Sequence, residues 1–150
     1  MADLEKVIIY TDGACEGNPG KGGYCAILQC GTAEKIVSGY SPATTNNRME
    51  LTAVIEGLTA LKRSCEVLIV SDSKYVCDAI NQGWLDNWKR SFWRKSNGDP
   101  VSNIELWKRL IPLLEKHKVS FTWVRGHAGH LENERCDEIA VSQYRDRSAE

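Results

Sequence analysis

Residues 7–24 read VIIYTDGACEGNPGKGGY. An apolar run leads to one aspartate, Asp12, and the chain then breaks into glycines, a proline and a lysine. A glycine-rich segment after a strand raises the prospect of a nucleotide phosphate cradle. Two features argue against one. GNPGKGG is followed by YCAILQC (24–30), a second strand-like run, and not by a helix whose N-terminus could hold a pyrophosphate. Lys21 also lacks the Ser or Thr neighbour of a P-loop. The stretch therefore reads as a strand ending at Asp12, with residues 13–23 forming a low turn into a hairpin.

Three more strand-like runs are KIVSGY (35–40), VLIVS (67–71) and VSFTWV (119–124). The short loop GTAEK joins YCAILQC to KIVSGY, as in an antiparallel hairpin. VIIY and VLIV are continuously apolar, as central strands covered on both faces should be. Helical spacing appears at Leu51, Val54, Ile55, Leu58 and Leu61, and after Ser73 at Val76, Ala79 and Ile80. It returns from Asn103 through Leu106, Leu110 and Leu114, with Pro112 predicting a kink or shift, and from near Asn133 through Cys136, Ile139 and Ala140. Strands come first and then alternate with helices, which predicts an α/β domain around one mixed sheet. Residues 1–150 read as a single domain, with no linker or repeat.

Hydrophobic residues make up 42% of the chain and charged residues 26%, an ordinary globular balance. The net charge of −1 leaves nucleic acid open as a partner, because a basic patch can sit within a neutral total. No apolar run approaches the roughly 18 residues of a membrane span, and MADLEKV lacks a signal-peptide core, so the expected location is the cytoplasm. The six cysteines form no CxxC pair and are expected to be reduced thiols, not zinc ligands or a disulfide framework.

Four carboxylates stand out by position. Asp12 ends the first strand and Asp72 ends VLIVS, while Glu50 and Asp137 fall in the first turns of helices. Each has a plain structural explanation. Asp12 favours a turn before Gly13, Asn47–Glu50 fits a capping box, Asp72 fits a helix cap, and Asp137 suits a helix dipole. Taken together, they place acids side by side at the carboxyl ends of two adjacent parallel strands. Carboxylates converging there repel unless a cation separates them, and an all-oxygen set selects Mg²⁺ or Mn²⁺. His127, in RGHAGH, could shuttle a proton beside such a site or be a plain loop residue. His117 and His130 read as structural or surface residues.

Residues 84–95 read WLDNWKRSFWRK. Lys89, Arg90, Arg94 and Lys95 are interleaved with Trp84, Trp88, Phe92 and Trp93, a footprint for nucleic acid. The spacing of Trp88 and Phe92 predicts an inward pair one helical turn apart, with the cations facing out.

The segments YTDGAC with GNPGKGGY, TTNNRMEL, SDSKYV and VRGHAGHLENERCDE occur in that order. Together they resemble a type 1 ribonuclease H of the bacterial kind, over nearly the whole chain. The resemblance implies a five-stranded mixed sheet flanked by helices. It implies hydrolysis of the RNA strand of RNA–DNA hybrids, leaving 5′-phosphate and 3′-hydroxyl ends. Asp12, Glu50, Asp72 and Asp137 would hold two Mg²⁺ ions, with Mn²⁺ as an alternative, and His127 would assist proton transfer or product release. Gly13, Ala14, Cys15, Asn18, Asn46, Asn47 and Glu50 would lie along the RNA side or between the strands. Lys74 stands where Gln is expected, and would trade a ribose or base-edge contact for a phosphate contact. Thr45 would hold a DNA phosphate. The basic aromatic segment, with Trp84 packing on sugars, would hold the DNA strand, and Trp107 would join that groove or belong to the core. The family pattern is that of a monomer.

Two other readings use the same residues. Proofreading-type exonucleases of this superfold want a second acid two residues after the first, where this chain has Ala14. A non-catalytic hybrid-binding module conflicts with four clustered carboxylates, which would repel a phosphate backbone unless a metal intervened.

Overall fold

Five strands form one mixed sheet in the order β3-β2-β1-β4-β5. The computed structural model describes residues 4–125 and 130–148, with side chains described as far as residue 145. The strands are β1 (Glu5–Gly17), β2 (Gly20–Cys30), β3 (Ala33–Thr44), β4 (Cys65–Ser71) and β5 (Lys118–Trp123). The helices are α1 (Asn46–Thr59), α2 (Lys74–Asn81), α3 (Trp84–Arg90), α4 (Ile104–Lys116) and α5 (Leu131–Ser148). β1, β2 and β3 pair antiparallel, while β1, β4 and β5 pair parallel. No helix among the described residues is long and apolar enough to cross a membrane.

Alternation along the strands builds two cores. Ala26 and Leu28 of β2 join Val7, Ile9, Val67 and Ile69 in the larger core, under α1, α2 and α4. Cys25 and Ile27 point to the opposite face, where α5 covers them with Cys136 and Ala140. Each fully buried Ile or Leu contributes about 1.5–3 kcal/mol of transfer free energy. The edge strands β3 and β5 are largely exposed, as the outermost members of a sheet should be. All six cysteines are free thiols.

The structure refines the sequence reading at several points. β1 does not stop at Asp12. It runs on to Gly17 because Gly13–Gly17 keep pairing with β2, and the turn is confined to the residues between Gly17 and Gly20. Trp107 is fully buried, which agrees with the core reading of the two it was given and not with the groove. Its ring lies 5.4 Å from Trp88 and 5.6 Å from Tyr75, and its indole N–H donates to the Tyr75 hydroxyl at 3.0 Å. Phe92 does not pair inward with Trp88. α3 ends at Arg90, and Phe92 lies beyond it, 86% exposed.

Candidate active site

Parallel pairing of β1 with β4 ends at Thr11 opposite Ser71. The next residues are Asp12 and Asp72, so the two acids lie abreast where the strands part. Asp12 takes the α5 face of β1, with Tyr10 and Ala14, and its Oδ1 accepts from the Gly13 N–H at 2.9 Å. Asp72 rides a turn fixed from both sides. The Trp123 indole donates to its carbonyl at 3.0 Å, Val124 N–H donates to the Ser71 carbonyl at 2.9 Å, and the Ser73 hydroxyl caps α2 at Val76.

Glu50 comes from α1. Its helix is capped by the Thr45 hydroxyl, which accepts from Arg48 N–H at 3.2 Å, so the capping box expected of Asn47–Glu50 is not formed. Glu50 sits past the first turn and is buried. Gly13 brings it in, because a Cβ at that position would run into the Met49–Glu50 backbone. Asp137 comes from α5, also past the first turn. Asn133 Nδ2 donates to the Val70 carbonyl at 3.2 Å and the Cys136 thiol donates to the Tyr10 carbonyl at 3.1 Å, tying α5 to β4 and β1. Gly23 completes this docking, since a Cβ there would strike the Ala140 carbonyl. The glycines after Asp12 thus let two helices approach the sheet, a role the sequence reading missed. Asn133 and Cys136 were also missed. Only their spacing in ENERCDE, one helical turn and one residue before Asp137, could have marked them.

One carboxylate oxygen from each of Asp12, Glu50 and Asp72 lies within 4.8 Å of the others. Asp137 shares a groove with all three. Burial, the largest cause, raises the Asp12 carboxyl to about 8. Hydrogen bonding with Glu50 pulls it back, and the charges of Asp72 and Asp137 push it further up. Burial and then the Asp12 charge hold Glu50 well above the usual carboxylate range. Glu50 Oε2 is buried without a hydrogen-bond partner. Crowded carboxylates, a raised proton affinity and an orphaned buried oxygen all fit a hard divalent cation.

Gly13, Ala14, Cys15, Asn46, Asn47 and Lys74 line the same groove. Asn18 lies outside it, where its Oδ1 accepts from Asn46 N–H at 3.1 Å and ties the β1–β2 turn to the start of α1. Lys74 leans over the Trp123 ring at 5.9 Å. Asp12, Asp72 and Asp137 also border a small crevice with Arg125, His130, Asn133 and Glu134, so His130 stands beside the acids. His127 lies outside the described residues. Lys89, Arg90, Arg94 and Lys95 are exposed on and after α3, and Trp84 at its start is half-buried.

A five-stranded sheet in this order, with carboxylates gathered where its parallel strands part, is the architecture of the RNase H class. The RNase H family model matches residues 4–145, and the chain belongs to that family. The ribonuclease H of Nitratidesulfovibrio vulgaris (strain DP4) is 53% identical over 137 residues, covering 91% of this chain and 88% of that protein. That of Chlorobium luteolum is 54% identical over 136 residues, covering 91% and 93%. These relatives make the chain an enzyme, a hydrolase of nucleic acid. Among solved structures, LC9-RNase H1, a type 1 RNase H with the type 2 active-site motif, superposes with a TM-score of 0.84 at 31% identity. The match covers 95% of this chain and 73% of that one. LC11-RNase H1, solved in complex with an RNA/DNA hybrid, shares the fold at a TM-score of 0.71 and 21% identity, over 96% and 99% of the two chains.

Proposed function

We propose that the protein is a cytoplasmic, monomeric endonuclease that hydrolyses the RNA strand of RNA–DNA hybrids. Asp12, Glu50, Asp72 and Asp137 would hold two divalent cations, Mg²⁺ or alternatively Mn²⁺. The observation that carries the reading is the Asp12–Glu50–Asp72 cluster, with ligand atoms within 4.8 Å of one another and Glu50 Oε2 orphaned. When bound, such cations lower the pKa of an attacking water and stabilise the leaving oxygen.

The chain's own groups do the positioning. Attack of water on phosphorus with departure of the 3′-oxygen leaves a 5′-phosphate and a 3′-hydroxyl. The buried carboxylates fix the centre without needing to reorganise during reaction. Backbone groups of Gly13, Ala14 and Cys15 and the side chains of Asn46 and Asn47 supply donors and acceptors along one wall of the groove. A 2′-hydroxyl can be read there, which distinguishes RNA from DNA. Lys74 brings a cation to the same wall for a phosphate. Asn18 acts through the α1 start that it holds. His127 serves as the proton shuttle. Thr45, at the N-terminus of α1, and the exposed Lys89, Arg90, Arg94 and Lys95 hold the phosphates of the DNA strand, with Trp84 packing on its sugars.

The test is Mg²⁺-dependent cleavage of a hybrid carrying labelled RNA. The expected result is cuts in the RNA strand, none in double-stranded DNA, and no activity in EDTA or in Asp12→Asn. Cleavage surviving both EDTA and Asp12→Asn would refute the metal assignment. Hybrid binding without any cleavage would instead favour a non-catalytic module.

A further inference from the structure

Phe92 occupies a position that local rules assign to glycine. Past the end of α3, Trp93 N–H donates to the Trp88 carbonyl at 2.8 Å and Ser91 N–H to the Asn87 carbonyl at 3.0 Å. Phe92, the residue between Ser91 and Trp93, takes φ 57. This is the left-handed helix stop in which glycine avoids a steric penalty that a bulky side chain incurs. Trp93 also has a positive φ of 62, yet its ring packs against the core and lies 5.7 Å from the Lys108 ammonium. Phe92 is 86% exposed, the most open large hydrophobic residue among those described.

Its surroundings indicate what it faces. Lys89, Arg90, Arg94 and Lys95 are all exposed, and no acid lies between Asp86 and Asp99. The arginines are held in place. Arg90 donates to the Asp86 carbonyl and to Asn87 Oδ1, and Arg94 donates to the Gly98 carbonyl at 3.0 Å. An exposed ring whose chain neighbours are four exposed cations, two of them anchored, complements a sugar–phosphate strand. Phosphates meet the cations, and the apolar face of a nucleotide between them covers the ring.

We propose that Phe92 is an apolar substrate contact, packing on a nucleotide of the strand whose phosphates are held by Lys89, Arg90, Arg94 and Lys95. The proposal rests on the hybrid reading above and adds a contact of a different chemical kind. Because glycine is the residue this turn favours, Phe92→Gly removes the ring without endangering the fold.

The experiment compares Phe92→Gly, Phe92→Trp and the double variant Lys89→Ala/Arg90→Ala with the wild type on RNA–DNA hybrid. Phe92→Gly should raise KM about fivefold with kcat unchanged. Its melting temperature should be no lower than wild type. The log–log salt slope should also stay the same, since no phosphate contact is lost. Phe92→Trp should keep KM within about twofold of wild type. The double variant should raise KM and flatten the slope. A loss equal on blunt hybrid and on hybrid with a single-stranded DNA tail places the ring on a duplex sugar. A loss confined to the tailed substrate places it on an unpaired base, and either result supports the contact. Wild-type KM in Phe92→Gly, beside a weakened double variant, overturns the proposal and leaves the hybrid reading intact. A lower melting temperature in Phe92→Gly overturns it in favour of a structural role. Unchanged KM in both variants removes the binding role of the whole protrusion.

Discussion

The acid groove and the basic protrusion concentrate opposite charges by opposite means. The four acids come from β1, α1, the turn after β4, and α5, and packing holds them together. Asp12 is 5% exposed and Glu50 8%. The four cations come from seven consecutive residues, 89–95, and all are exposed. Gathering buried like charges opposes folding, so the groove is a strained centre sustained by the rest of the fold. Exposed cations cost the fold little, and their local ion pairs, such as Lys89–Asp86 at 3.9 Å, add little. The first region should therefore govern rate and stability, and the second affinity and salt dependence.

Asp12→Asn should separate the two regions most sharply. Cleavage should fall by at least about a thousandfold while hybrid binding persists. The melting temperature in EDTA near pH 8 should rise, because the fold no longer bears the cost of a buried carboxyl crowded by other acids. Single-turnover cleavage and thermal melts check both parts.

Gly13→Ala tests whether packing assembles the groove. The added methyl meets the Met49–Glu50 backbone and should cost about 1–3 kcal/mol, a drop of several degrees in melting temperature. The rate constant kcat should fall in variants that still fold, since Glu50 must move. A stable, fully active variant would break the link between close approach and Glu50 placement.

In the protrusion, Lys89→Ala plus Arg90→Ala should raise KM about tenfold and leave kcat within about twofold. The log–log salt slope should flatten by roughly one unit per lost contact. An unchanged KM and slope would sink the assignment of the protrusion to phosphates.

A further effect is pH-dependent and is read in stability alone. Asp12 has a folded value of about 8 against an ordinary 3.8, so the folded chain holds its proton more tightly than the unfolded chain. The stability this contributes is full below about pH 4 and is lost as pH rises towards 8. Melts in EDTA should show that decline. Mg²⁺ should restore a few degrees at pH 8 and much less at pH 5.

Much of this contrast was legible in the sequence, and the exceptions have physical causes. The cations lie side by side in the chain, so their clustering needs no fold to be seen. The pairing of Asp12 with Asp72 was legible because two continuously apolar runs each end on an acid, and the register then sets them abreast. The extension of β1 to Gly17 was not legible, because GACEG has weak strand propensity and is held by its pairing with β2. Glu50 looked like a capping residue because Asn46 and Asn47 are good caps, yet Thr45 takes that role. Phe92 departs from its expected inward place, while Trp107 takes the core place that was one of its two readings. Helical spacing does not extend past Arg90, where α3 ends, so Phe92 lies outside while Trp107 packs against Trp88.

The central claim is that packing gathers Asp12, Glu50, Asp72 and Asp137 into a cation site. Anomalous diffraction from crystals soaked in Mn²⁺ tests it most directly, with Asp12→Asn crystals as the comparison. The predicted result is density among the Asp12, Glu50 and Asp72 carboxylates in the wild type, lost in Asp12→Asn. Wild-type crystals with no density at these acids, or with the same density in Asp12→Asn, would contradict it.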